Sequence, residues 1–217
     1  MTRLLHISAS PRGAASASLA IAAEFRSAYE QANPDHAVEH WDLWDGTLPD
    51  FGTAAVTAKM TVFGGEDPSG DAAAAWDRVR ETFARFDRAD RLLFSVPMWN
   101  GGVPYILKQF IDVISQPGMI FGVDPYTGYE HLLAGRGKRA AVIYTSAVWG
   151  PQLGPEFGTD FQSTFFGDWL RWTGIDDITE IRYHPTLTGD RDAAMATARE
   201  AARQAAADFD RMAAGVA

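Results

Sequence analysis

Phe94-Ser95-Val96-Pro97-Met98-Trp99-Asn100-Gly101-Gly102-Val103-Pro104-Tyr105-Ile106-Leu107-Lys108-Gln109-Phe110-Ile111-Asp112 reads as three consecutive pieces of structure. The apolar run to Val96 has strand character and stops at Pro97, the Gly-Gly pair marks a turn, and Pro104 reopens the chain with apolar residues at helical spacing. A strand, an open loop and a helix in this order form the repeating unit of a parallel α/β sheet, whose ligands sit where strand carboxyl ends give way to loops. This loop offers an aromatic ring, an amide and bare backbone, which suits a flat ligand.

The same alternation recurs on either side. Toward the N-terminus the pattern predicts a strand at 4–8, a helix over 16–33 closed by Pro34, and a strand at 38–43. Residues 44–70 are turn-rich around a short helix at 54–62, and 70–90 forms a helix with Ala74, Val79, Phe83 and Phe86 on one face. After the helix at 104–115, glycines and prolines make 116–138 too irregular for one element. A loop excursion of that length is expected as a lid, a binding surface or a subunit contact. A fourth strand at 140–145 leads through a Gly/Pro-rich loop at 148–158 into a helix at 160–173, a fifth strand at 178–183 and a closing Ala-rich helix at 190–213. Five strands alternating with helices specify an α/β fold, a doubly wound parallel sheet with helices on both faces. No repeat or linker divides residues 1–217, so a single domain is expected. Both common strand orders fit the alternation.

The first turn bears on the ligand. A dinucleotide-binding fold is expected to carry G-x-G-x-x-G after its first strand. Here the chain reads Ser8-Ala9-Ser10-Pro11-Arg12-Gly13-Ala14-Ala15-Ser16-Ala17-Ser18, with hydroxyls in place of glycines. Serines and free amides at a helix N-terminus suit a phosphate monoester, because hydroxyl donors, N–H donors and the positive dipole end converge on one anion. Ser10, Ser16 and Ser18 are therefore candidate phosphate ligands. Capping of the helix accounts for Ser16 and Ser18 equally well on residue type alone; their position after the first strand favours the anion. Arg12 either adds a charge-assisted contact or lies in solvent.

Composition removes several classes of function. The net charge of −9 and pI near 4.9 repel phosphate backbones and anionic membrane surfaces, so no nucleic acid and no membrane partner is expected. With no cysteine there is no disulfide framework, thiolate nucleophile or thiolate metal site. The opening residues carry too short an apolar run for a signal peptide and no segment has the apolar length of a membrane span. These features together point to a cytoplasmic protein. The histidines His6, His36, His40, His131 and His184 are dispersed without ligand spacing, so no metal is expected. No Gly-x-Ser-x-Gly elbow or carboxylate pair suggests hydrolytic chemistry.

The chain resembles the FMN-dependent azoreductase and quinone reductase branch of the flavodoxin-like superfamily. Ser10, Ser16 and Ser18 occupy its serine-rich phosphate loop, and Pro97-Met98-Trp99-Asn100 matches its P-M-[YW]-N flavin loop. The likeness continues through Pro104, Leu107, Lys108 and Asp112, Gly118 and Phe121, Gly137-Lys138, and Thr145-Ser146. It implies a 2-1-3-4-5 sheet, FMN at its carboxyl edge, and a homodimer with flavin sites along the interface. It implies cofactor contacts from Ser10, Ser16, Ala17 and Ser18 to the phosphate, from Pro97, Met98, Trp99, Asn100 and Gly101 around the isoalloxazine, and from Ser146 near the pyrimidine end. NADH or NADPH would reduce the flavin in a ping-pong reaction, and a quinone or azo aromatic would take the reducing equivalents. The cofactor carries that chemistry, so no catalytic side chain is expected.

Departures from the family fall around the site. Gly101-Gly102 stands where relatives carry a side chain, and Ser146-Ala147-Val148-Trp149-Gly150 replaces a Ser-Arg-Gly-Gly continuation, exchanging a cation for an indole. Phe121, Trp149, Trp172 and His131 are the candidate substrate-pocket residues; Trp41, Trp44, Trp76 and Trp169 read as core or interface aromatics. Arg136, Lys138 and Arg139 either meet a ribose phosphate or form a solvated basic cluster. Two other readings fit: a flavoenzyme reducing a polycyclic quinone intermediate in a biosynthetic pathway, and an electron-transfer flavodoxin.

Overall fold

The computed structural model describes residues 1–187 and 189–210. A parallel five-stranded sheet is built from β1 (Arg3–Ser8), β2 (Ala37–Asp42), β3 (Arg91–Pro97), β6 (Arg139–Thr145) and β7 (Asp177–Tyr183), in the order β2-β1-β3-β6-β7. The remaining strands, β4 (Phe121–Asp124) and β5 (Gly128–His131), pair antiparallel with each other as a separate hairpin. Counted without that hairpin, the sheet runs 2-1-3-4-5. The expected excursion at 116–138 thus contains ordered structure of its own, built around a turn that Asp124 stabilises by accepting from the Tyr126 and Thr127 amides.

Among the described residues six α-helices flank the sheet: α1 (Ala17–Ala32), α2 (Thr53–Phe63), α3 (Gly70–Asp87), α4 (Tyr105–Ile114), α5 (Ser163–Thr173) and α6 (Arg191–Asp208). The central strands are apolar on both faces, as a sheet covered on both sides requires. Leu92, Phe94, Val96, Val142 and Tyr144 point into one core with α3, α4 and α5, whereas Leu93, Ala141 and Ile143 point into the other with α1 and α6. The second layer is thin because α6 presents Ala198, Ala202 and Ala206, four residues apart on one face, to Ile21, Phe25 and Tyr29 of α1. Helix α3 buries Ala75, Trp76, Val79, Thr82 and Phe86, with Ala74 exposed; the hydrophobic stripe is set by the bulkier Trp76 and not by the alanine. The far end of the predicted closing helix, 211–213, lies outside the described residues. No described helix is long and apolar enough to cross a membrane.

Two contacts lock the edge of the sheet remote from the strand carboxyl ends. Buried Lys138 donates from Nζ to the carbonyls of Asp87 and Ala89 at 2.6 Å, closing the α3–β3 turn. Helix α5 ends in a Schellman motif, with Gly174 N–H on the Arg171 carbonyl and Ile175 N–H on that of Leu170. Gly174 has φ +97°, and a Cβ there would lie 2.4 Å from Ala134 N. The substitution Gly174→Ala therefore combines left-handed strain with a backbone clash and is expected to cost about 3 kcal/mol, a fall of about 6–12 °C in Tm by calorimetry. An unchanged Tm would refute the close packing of the hairpin on α5.

Candidate functional site

The chain segments that follow β1, β3 and β6 meet at the carboxyl edge of the sheet. They border a cleft of about 470 Å³, open mouth included, lined by Ser10, Arg12, Ser16, Ala17, Pro97, Met98, Trp99, Thr145, Ser146, Ala147 and Thr186. Most of the sequence-predicted cofactor residues are brought together here. Ser18 lies one step behind, buried and 3.1 Å from Ser16 Oγ, while Asn100 and Gly101 form the tip beyond Trp99.

On one side the cleft is an anion cradle. Ser16 caps α1 by accepting from the Leu19 amide, and the N–H groups of Ala17 and Ser18 have no acceptor within the helix. Ser10 is buried, and among the described residues its hydroxyl has no hydrogen-bond partner. Among the described residues Arg12 is the one charged side chain on the lining. Unspent hydroxyls, free amides, a helix dipole and a cation fit the phosphate monoester of the FMN that the resemblance implies.

The opposite side is a hairpin tip. Trp99 and Gly102 exchange both backbone hydrogen bonds, at 2.9 and 3.0 Å, around Asn100 (φ +48°) and Gly101 (φ +84°). Positive φ at both central residues is the signature of a type I′ turn, for which Asn-Gly is the favoured pair. The glycine at 101 is thus required by the turn, and the space left where relatives carry a side chain is partly filled: Phe161 N–H donates to the Gly101 carbonyl at 3.0 Å and its ring lies against the turn. Met98 N–H is taken by the Thr145 carbonyl at 2.7 Å, so the loop is fixed at both ends. A rigid backbone edge of this kind can hydrogen-bond a flat heterocycle without a titrating group.

Beneath the loops, Gln162 is 1% exposed and donates from Nε2 to the Val96 carbonyl at 2.7 Å. It fastens the segment before α5 to the end of β3. Sequence reasoning passed over it, since a single glutamine in a loop carries no pattern. Ser146 lines the cleft, but its hydroxyl donates to the Trp149 carbonyl. The Trp149 indole packs edge-on against His184, 5.4 Å between centroids, and is absent from the cleft lining.

The other candidate substrate residues form a group of their own. Phe121 and Trp172 lie 5.2 Å apart, Tyr129 packs on both, and His131 Nδ1 contacts the Trp172 carbonyl. Trp172 closes α5, while Gln162 at the start of α5 touches the floor of the cleft. The length of α5, eleven residues or about 16 Å, separates the two places. The basic residues Arg136, Lys138 and Arg139 stand at the start of β6, about 20 Å from its carboxyl end. Arg136 pairs with Asp87 and Arg139 with Asp177. They are structural ion pairs and do not approach the cleft.

A polar column lies behind the cradle. Ser95 Oγ donates to the Ser18 carbonyl at 3.5 Å and sits 2.8 Å from His6 Nε2; His6 stacks on His40 at 4.6 Å, and His40 Nε2 lies 3.0 Å from Ser8 Oγ. Burial, the neighbouring His40 and Arg26 hold His6 well below the usual imidazole range, and partial burial with Arg26 lowers His40. His6, 1% exposed, is thus neutral in the fold. An unfolded chain takes up its proton below about pH 6.5 whereas the folded one does not, so this group costs about 1 kcal/mol of stability between pH 6.5 and 5.5. Urea titrations across that range should show a shallower acid loss for His6→Gln than for the unaltered chain; parallel slopes would exclude a neutral buried His6.

Comparison with known proteins gives a consistent result. Residues 2–206 match the family described as flavodoxin-like fold. The chain is 47% identical over 192 residues to an FMN-dependent NADH:quinone oxidoreductase of Ruegeria pomeroyi, covering 88% of this chain and 92% of that one. It is 39% identical to a protein of the same name from Desulfotalea psychrophila, covering 92% and 93%. Among solved structures it is similar to an FMN-dependent NADH-azoreductase from Bacillus anthracis in complex with FMN, with a TM-score of 0.88 over 96% of this chain and 99% of that one at 21% identity. At that identity the likeness speaks for the fold.

Proposed function

This chain belongs to the flavodoxin-like fold family, and from that premise we propose that it is an FMN-dependent oxidoreductase carrying reducing equivalents from NADH to quinones, with azo aromatics as a second class of acceptor. The observation that carries the reading is the union, in one cleft, of an anion cradle at the start of α1 and a rigid backbone edge at 97–102. Its relatives at 39–47% identity bear the name FMN-dependent NADH:quinone oxidoreductase.

In this reading FMN supplies the two-electron carriage when bound. Ser10, Ser16 and the free amides of Ala17 and Ser18 hold the phosphate, with Arg12 offsetting its charge. Pro97, Met98 and Trp99 would border the ring system, and the amides of Asn100 and Gly101 would be available to hydrogen-bond its edge. Among the described residues the lining carries no carboxylate, imidazole or phenol that could hand over a proton, so the acceptor's protons come from water. Arg136, Lys138 and Arg139 are committed to partners elsewhere, and NADH as donor is supported by the names of the relatives. The aromatic group of Phe121, Tyr129, Trp172 and His131 is remote from the cleft of its own chain; a homodimer would bring it to the partner's cleft. A cytoplasmic location follows from the nicotinamide donor.

The reading separates phosphate from ring. Ser10→Ala should weaken FMN binding about tenfold, the worth of one hydrogen bond to a charged group, and leave riboflavin binding within twofold, both followed by quenching of flavin fluorescence. Equal losses for the two ligands would show that Ser10 does not serve the phosphate. Anaerobic mixing of the FMN-loaded protein with NADH should bleach the flavin band within seconds; bound FMN that resists NADH would reject the oxidoreductase assignment.

A further inference from the structure

We propose that Trp44, Trp99 and Tyr105 form an acceptor-binding wall that favours fused-ring quinones over single-ring ones, an inference that rests on the quinone-reductase reading above. The three rings come from separate elements: Trp44 follows β2, Trp99 belongs to the hairpin tip after β3, and Tyr105 opens α4. They nevertheless form one mutual contact group, with centroids 5.9 Å (Trp44–Trp99), 5.1 Å (Trp44–Tyr105) and 6.2 Å (Trp99–Tyr105) apart.

Both indoles are held. Trp44 Nε1 donates to the Ala9 carbonyl at 3.0 Å and its backbone N–H to Asp42 Oδ1 at 3.1 Å, which ties this ring to the residue just before Ser10. The Trp99 main chain is fixed by the paired hydrogen bonds of the type I′ turn, and its ring packs against Trp44 and Tyr105. The rings are also accessible, Trp99 being 36% and Tyr105 62% exposed. Core packing does not need an exposed tyrosine beside two pinned indoles, and exposed aromatic surface of this kind marks contact with something else. Trp99 lines the cleft, and Tyr105 lines an open groove together with Phe51. The Trp99–Tyr105 ring contact carries aromatic surface from the cleft toward that groove.

The matching ligand is planar, apolar and longer than one ring. A single-ring quinone in the cleft covers Trp99 alone. A fused-ring quinone in the same place extends along the wall toward Tyr105, and each added ring gains aromatic contact with rings that already pack on one another around the hydrogen-bonded Trp44. Selection for extended acceptors thus resides in Tyr105 and Trp44, outside the cofactor cradle.

The test is titration calorimetry on the oxidised FMN-loaded protein with anthraquinone-2-sulfonate and, separately, duroquinone. Tyr105→Ala should weaken the anthraquinone about fivefold, the scale of one aromatic contact, and shift duroquinone by less than twofold; Tyr105→Phe should restore anthraquinone binding, since the ring and not the hydroxyl does the work. Equal effects on both quinones, or a phenylalanine variant as weak as the alanine one, would overturn the wall. Reduction of the unaltered protein by NADH is followed in parallel: normal reduction without a ring-size difference overturns this inference alone, whereas failure of reduction removes the reductase reading and the acceptor assignment with it.

Discussion

The register of three parallel strands sets the geometry of the cleft. Ser8 of β1 pairs with Ser95 of β3, and Pro97 pairs with Thr145 of β6. The chain therefore leaves all three strands near one level, so Ser10, Met98 and Ser146 arrive as neighbours although they are distant in sequence. Parallel strands cannot be joined by tight hairpins, and each must exit into a crossover. The loops are thus free of any connecting duty at that edge except to turn toward a helix, and they are available to hold a ligand. A one-residue slip of β3 would invert its faces and turn Ser95 and Leu93 into the wrong layer; the nearly complete burial of β3 on both sides makes such a slip prohibitive.

Polar groups inside this apolar frame follow from the same constraint. Ser8, Ser95 and His6 are buried where the β1 and β3 chains approach the cradle. Buried polar atoms are costly unless paired, and here most are paired with one another: Ser95 bridges His6 and the Ser18 carbonyl, and Ser8 reaches His40 and Asp42. The column braces the first turn of α1 from behind. Its front remains unspent, with Ser10 unpaired and the amides of α1 open, which is the distribution of hydrogen-bonding capacity that an anion site requires. The imidazoles support the site through neutral hydrogen bonds, and their depressed affinity for protons keeps positive charge out of the core.

Much of the architecture was legible in the sequence because hydrophobic periodicity reports burial directly. The runs at 4–8, up to Val96 and at 140–145 are mainly apolar on both faces, as a doubly covered parallel sheet requires, and they became β1, β3 and β6. The cradle was legible too, because hydroxyls in place of glycines after the first strand are a departure with a chemical meaning. The hairpin β4–β5 was not, since Phe121–Asp124 and Gly128–His131 are short, mostly exposed and bounded by glycines, so neither alternation nor burial marks them. The type I′ turn at Asn100-Gly101 could have been read: Asn-Gly is the strongest local hairpin signal, but the following Gly102 and Pro104 suggested an open loop. Gln162, Trp44 and Tyr105 left no signal, because their roles depend on which strand ends lie beneath them or which rings stand opposite.

The placement of aromatic residues adds a last step. Trp149, singled out by its position after Ser146, turned toward His184, and Trp44, read as a core or interface aromatic, packs on the core and also touches the Trp99 ring that lines the cleft. The difference lies in what each indole nitrogen and ring can find. Trp44 Nε1 meets the Ala9 carbonyl at the end of β1, where the backbone has a free acceptor and no neighbouring strand to satisfy it, so this ring is drawn to the rim. Trp149 has its own carbonyl engaged by Ser146, which curls the loop away from the cleft and brings the indole onto the end of β7. Backbone acceptors at strand ends thus decide which aromatic faces the ligand. In a parallel sheet those acceptors gather at the carboxyl edge, and the same edge that offers its donors to an anion positions aromatic surface through acceptors.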